Sequence, residues 1–185
     1  ENALDVRGSG KITLNGTGAD CKGIDGSLTV GKKGNVEISG SGAGCKGIHG
    51  ALTVNGGTLD ITVTGQNSCG IDVSYNRSIT IPAGTVTVTA KGAAIKGIEA
   101  RECDFQVSGS GKLTVNAEGD SSTAYAVWAA YSVLRVRDGG TFNITGKQVN
   151  FGIYWARLDV DGGTLNIDLT RTGDNKDVYG ATYYN

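Results

Sequence analysis

A stretch of thirteen residues recurs almost unchanged after an offset of 24: Gly-Ala-Asp-Cys-Lys-Gly-Ile-Asp-Gly-Ser-Leu-Thr-Val at 18–30 returns as Gly-Ala-Gly-Cys-Lys-Gly-Ile-His-Gly-Ala-Leu-Thr-Val at 42–54. The pattern persists as Cys-Gly-Ile-Asp at 69–72, Lys-Gly-Ile-Glu at 96–99, Tyr-Ala-Val-Trp at 125–128 and Phe-Gly-Ile-Tyr at 151–154, with a last trace at 179–182. The small residue of each unit (Gly23, Gly47, Gly70, Gly97, Ala126, Gly152, Gly180) is spaced at 24, 23, 27, 29, 26 and 28. A period of this size marks a stack of similar units. Each unit can bury its apolar face only against its neighbours.

Every unit carries three apolar patches. The first holds Ile24, Ile48, Ile71, Ile98, Val127 and Ile153; the second holds pairs such as Leu28/Val30, Leu52/Val54 and Phe105/Val107; the third holds pairs such as Val36/Ile38, Leu59/Ile61 and Leu113/Val115. Apolar residues at alternate positions mark strands with one buried face. Turn chemistry separates the second and third patches at Asn55-Gly56-Gly57, Pro82-Ala83-Gly84, Asp138-Gly139-Gly140 and Asp161-Gly162-Gly163. The sequence therefore predicts an all-β fold: a single-stranded parallel β-helix of about seven coils, each of three short strands, with right-handed coiling the expected hand. No segment keeps a 3.6-residue period over ten residues, and the units are too short for propeller blades.

Composition excludes several classes. Glycine supplies 31 of 185 residues without the three-residue period of collagen, and proline occurs once. Formal net charge is -1, so there is no basic footprint for nucleic acid. No run of about 18 apolar residues predicts membrane insertion. The chain opens on Glu1, and both ends fall inside the repeat. The expectation is a single domain over 1–185, cut from a longer secreted or surface protein, with oligomerisation through the coil ends possible because an uncapped end is an open strand edge.

Cys21 and Cys45 occupy equivalent sites in neighbouring coils. Parallel strands carry their Cβ vectors side by side, so a buried thiol ladder is the preferred reading over a disulfide, with Ile95 the apolar equivalent further on. No CxxC is present, which argues against zinc. The single histidine, His49, falls in an outward column Asp25, His49, Asp72, Glu99, Trp128, Tyr154, where pairing with carboxylates explains it without a catalytic triad. Register places Arg135 beside Asp159 and Arg137 beside Asp161 as ladder ion pairs.

The preceding column of small residues has two readings. Strict alternation turns Gly23, Gly47 and Gly97 outward, giving a shallow groove floor. Lys22, Lys46 and Lys96 then rim one side. Asp25, His49, Asp72 and Glu99, followed by Trp128, Tyr154 and the adjacent Trp155, rim the other. Alternatively the glycines permit a bulge, which would let both Lys22 and Ile24 take their proper sides. A groove with polar rims and aromatic rings suits a hydroxyl-rich chain. Thr29, Thr53 and Thr80 also align, but Gln106, Arg135 and Asp159 then break a threonine array.

Lys-Gly-Ile-Asp-Gly-Ser-Leu-Thr-Val at 22–30, with Gly-Gly-Thr-Leu-Asp-Ile at 56–61 and Gly-Gly-Thr-Leu-Asn-Ile at 162–167, resembles a family of bacterial extracellular carbohydrate-binding β-helices, similar to pectate lyases in architecture. The resemblance covers most of the chain. It implies binding of cellulose or pectic polymers and bound calcium, with Asp25, Asp72 and Glu99 as the metal ligands. The chain departs from the family pattern after residue 120, where aromatics replace the Lys and Asp columns, and at His49. The functional expectation is non-catalytic binding of plant cell-wall or other extracellular polysaccharide at Lys22, Lys46, Lys96, Gly23, Gly47, Gly97, His49, Trp128, Tyr154 and Trp155. The alternatives are a polysaccharide lyase or hydrolase on the same scaffold, and a structural adhesin or fibre segment.

Overall fold

A computed structural model describes residues 2–120, 123–170, 176–179 and 182–183. It is an all-β parallel solenoid, and the described residues form no helix, so none is long and apolar enough to cross a membrane. The first strand of each rung stacks in the order Lys22–Asp25, Lys46–His49, Cys69–Ser74, Lys96–Arg101, then the opening residues of Tyr125–Arg137 and of Phe151–Asp161, and finally Lys176–Tyr179. These seven rungs are linked by six turns of the coil. Every strand ladder is parallel.

Register brings the apolar patches into straight columns. Ile24, Ile48, Ile71, Ile98, Val127 and Ile153 lie in one line. Leu28, Leu52, Ile79, Phe105, Leu134 and Leu158 form a second, and Ile38, Ile61, Val88, Val115 and Ile144 a third. Nearly all of these side chains are fully buried. Each is worth ~1.5–3 kcal/mol of transfer free energy. Phe105 and Phe142 meet inside the coil with ring centroids 5.6 Å apart.

Not every expected turn interrupts a strand. Leu52–Thr64 and Ser78–Gly92 run unbroken through the second and third sides, so the Asn55-Gly56-Gly57 and Pro82-Ala83-Gly84 corners are bends within continuous strands. Ladder pairing continues across these bends with register shifts.

The glycine column corrects the outward-floor reading. Gly47 and Gly97 are buried and Gly23 is half-buried. A Cβ on Gly97 would lie 2.5 Å from both Val115 Cγ1 and the Ala126 carbonyl oxygen; one on Gly47 would collide with the Ile61 side chain and the Gly70 carbonyl. The chain bends here, so glycine and the following isoleucine both face inward while Lys22, Lys46 and Lys96 remain outside. Glycine is required because the first strand approaches the third side closely.

The cysteines correct a second expectation. Cys21 and Cys45 form a disulfide with Cα atoms 4.5 Å apart, within the range a disulfide spans. Both lie at a corner, just before the first strand, not inside it. The preceding residues Asp20 and Gly44 take left-handed backbone, with φ 55° and 70°. The side-by-side constraint of regular strands is therefore absent. Cys69 and Cys103 are free and buried.

Gly47→Val should fold less stably by ~1–3 kcal/mol through overpacking, measured by urea denaturation. Unchanged stability would mean the column does not face the core.

Candidate functional site

The outer surface of the first strands carries two parallel columns. Lys22, Lys46, Cys69, Lys96, Tyr125 and Phe151 are aligned by register, and so are Asp25, His49, Asp72, Glu99, Trp128 and Tyr154. The inward glycine–isoleucine bend separates them, so each rung contributes one residue to each column, with Cys69, Asp72 and Phe151 buried among their neighbours. The first rungs are charged and the later ones aromatic.

In the charged half, ion pairs tie the columns together. Lys22 Nζ lies 2.8 Å from Asp25, Lys46 Nζ 2.5 Å from Asp72 one rung on, and Lys96 Nζ 2.6 Å from Glu99. Arg101 holds the other Glu99 oxygen at 2.6 Å. His49 Nδ1 sits 2.7 Å from Asp25, and its Nε2 faces Asp72 at 4.0 Å. Both ring nitrogens therefore face carboxylates. A Ser-His-Asp relay needs one of them to face a nucleophile.

These contacts shift protonation. A hydrogen bond from Lys22, then one with His49, holds the exposed Asp25 carboxyl down to about 2. Burial works against the charged Lys46 ammonium, but the hydrogen bond and charge of Asp72 outweigh it and raise its pKa. Cys69 is pushed up by burial and by the neighbouring Asp72 and Glu99 charges, so it stays a thiol and is no nucleophile.

In the aromatic half, Lys96 and Arg101 each stand 4.4 Å from the Trp128 ring centroid. Trp128 thus anchors two cations by cation–π attraction. Tyr125 stacks on Phe151 at 5.9 Å, and Tyr154 tilts against both at 5.2 and 4.9 Å. Burial and the neighbouring Tyr154 raise the Tyr125 phenol.

A depression of about 630 Å³ opens where the halves meet, with Lys46, Lys96, Glu99, Tyr125, Trp128 and Tyr154 in its lining. Its position follows from Cys69, whose short side chain interrupts the lysine column between Lys46 and Lys96. A smaller hollow of about 330 Å³ adjoins it, sharing Lys46, Lys96 and Glu99 and adding Asp72, Arg101 and Tyr75.

Of the residues singled out in the sequence, Lys46, Lys96, Trp128 and Tyr154 come together at this depression. Lys22 and His49 belong to the charged end of the same face. The three glycines lie beneath it. The Trp155 side chain and Gly180 fall outside the described residues. Asn67 and Tyr125 line the depression, and Arg101 the adjoining hollow, without having been singled out as site residues. Tyr125 was legible as the residue aligned with Lys96, whereas Arg101 required knowing that it turns toward Trp128.

The calcium ligand set implied by resemblance does not fit this geometry. Asp25, Asp72 and Glu99 are each paired with a cation, and His49 occupies the rung between the first two. Among the described residues, no group of three His, Cys, Asp or Glu is placed to hold a metal ion. The arginine ladder is present in the expected register, Arg135 opposite Asp159 and Arg137 opposite Asp161. Arg135 lies 3.9 Å from its register partner Asp159, but the shorter contacts run diagonally, Arg137 on Asp159 and Arg135 2.7 Å from Asp104.

The chain matches no family model, no curated protein and no solved structure.

The Asp25 shift has a definite sign. A depressed carboxyl pKa gives a contribution to stability that is complete above the ordinary value near ~4 and lost as pH falls through about 2. Its exposure keeps that contribution small. Carboxyl-carbon NMR should show Asp25 titrating near 2, with Lys22→Ala moving the midpoint upward. An unmoved midpoint would mean that Lys22 does not hold it.

Proposed function

We propose that this chain is a non-catalytic binding module for extracellular polysaccharide, which it holds on the first-strand face at the junction between the charged and aromatic halves. The observation that carries the reading is the convergence of two ammonium groups, a carboxylate and three aromatic rings on one open depression. Sugars present hydroxyls at their edges and C–H groups on their ring faces. Lys46 and Lys96 donate to hydroxyl or carboxylate oxygens, Glu99 accepts from hydroxyls, and Tyr125 and Tyr154 wall the ring faces. Trp128 fixes the Lys96 and Arg101 cations, which favours acidic sugars over a neutral glucan.

Binding without catalysis is supported by how the reactive groups are engaged. His49 lies between two carboxylates, the Cys69 thiol is kept protonated, and Arg135 and Arg137 are committed to ladder pairs. The resemblance to carbohydrate-binding β-helices points the same way. The Cys21–Cys45 disulfide fits an oxidising, extracellular compartment.

Retention on insoluble cellulose and on polygalacturonate tests the reading. The protein should be retained with or without chelator, more strongly on polygalacturonate. Lys96→Ala and Tyr154→Ala should each weaken retention about tenfold while the far-ultraviolet circular dichroism is unchanged. Release of unsaturated sugars would replace binding with lyase action. Absence of retention combined with self-association would favour a fibre segment.

A further inference from the structure

The corner between the first and second sides is not the same in every rung. Two residues separate Asp25 from Leu28 and His49 from Leu52, and three separate Tyr154 from Leu158. Six separate Asp72 from Ile79, and five separate Glu99 from Phe105 and Trp128 from Leu134. The corner is therefore enlarged in three consecutive rungs, the ones that carry Cys69, Lys96 and Trp128. In a solenoid, insertions confined to neighbouring repeats project from one face, and that face is often the one that binds.

The enlargement presents tyrosines in an unusual way. Tyr75 and Tyr131 are 60% and 76% exposed, the most exposed large apolar side chains among the described residues. Both take left-handed backbone, with φ 49° and 56°, as does Glu102 between them with φ 48°. Backbone hydrogen bonds align the three: Tyr75 N–H donates to the Arg101 carbonyl, and Glu102 N–H to the Ala130 carbonyl. The two tyrosines stand two rungs apart, ~10 Å along the axis. The short corners manage with Gly26 and Gly50 at φ 146° and 157°. A bulky side chain held in the left-handed region is a strained arrangement of the kind that clusters at ligand sites.

Hollows lie on both sides of this corner. Tyr75 borders the 330 Å³ hollow that runs into the main depression. Tyr131 borders another of about 500 Å³, whose lining includes Asn76, Arg77, Glu102 and Asp104.

We infer that the enlarged corner is a second sugar-contacting surface, on which a further segment of the bound glycan lies along the solenoid axis with one ring over Tyr75 and another over Tyr131. The inference rests on the polysaccharide reading above. Glu102, between the tyrosines, accepts hydrogen bonds from hydroxyls of the intervening residue. The ligand class is an extended chain of several sugars, because a disaccharide seated in the main depression would not span both tyrosines.

Affinity electrophoresis in gels containing polygalacturonate or hydroxyethylcellulose tests this, using the full chain, Lys96→Ala, and the double variant Tyr75→Gly/Tyr131→Gly. Glycine relieves the left-handed strain, so the double variant should keep or raise its thermal midpoint. It should lose about tenfold in affinity for the retarding polymer and bind the disaccharide of that polymer as the parent does. Unchanged polymer affinity in the double variant, with weakening in Lys96→Ala, would overturn the corner and leave the depression standing. A lowered midpoint would also overturn it, by making the tyrosines structural. If neither gel retards the parent protein, the polysaccharide reading fails and the corner fails with it.

Discussion

Parallel hydrogen bonding between successive rungs is the constraint on which everything else depends. A rung of about 25 residues has too little apolar surface to fold alone, and its strands have unsatisfied N–H and C=O groups on both edges. Stacking satisfies both needs together. It also fixes register, because a one-residue slip would turn every core side chain to the solvent. Ile98 lies between Ile71 and Val127 for this reason, and the same register places Glu99 between Asp72 and Trp128.

The surface inherits that regularity and then departs from it. Columns of identical charge would repel, and the first rungs avoid this by interleaving: Lys22 with Asp25, His49 with Asp25, Lys46 with Asp72. Beyond Lys96 the columns become aromatic, and Trp128 joins the two chemistries by holding Lys96 and Arg101 at 4.4 Å. The depression forms at this change because Cys69 leaves room where a lysine would otherwise stand. Repetition supplies the platform, and the positions where repetition fails supply its chemistry.

The columns were legible in the sequence because a repeat offset equals one turn of the coil. Lys96 and Trp128 could be assigned to adjacent rungs from the spacing of their glycine and alanine markers alone. The direction of Gly47 was not legible. Alternation along an ideal strand turns it outward, and only the bend that brings it under Ile61 shows otherwise. The disulfide was missed for a related reason, since Cys21 and Cys45 lie at a corner where strand rules for Cβ direction do not hold. Tyr75 and Tyr131 were visible only as unequal spacings between aligned apolar residues. Their exposure depends on corner backbone that periodicity does not describe.

The most direct test of the stacked-register account is the proton NMR signature of Lys96 beside Trp128. The side-chain methylene protons of Lys96 should be shifted upfield by the indole ring current and show nuclear Overhauser contacts to it, and Trp128→Ala should abolish both. Lys96 methylene shifts at ordinary values, with no contact to the indole, would contradict the alignment of these rungs and the site built on it.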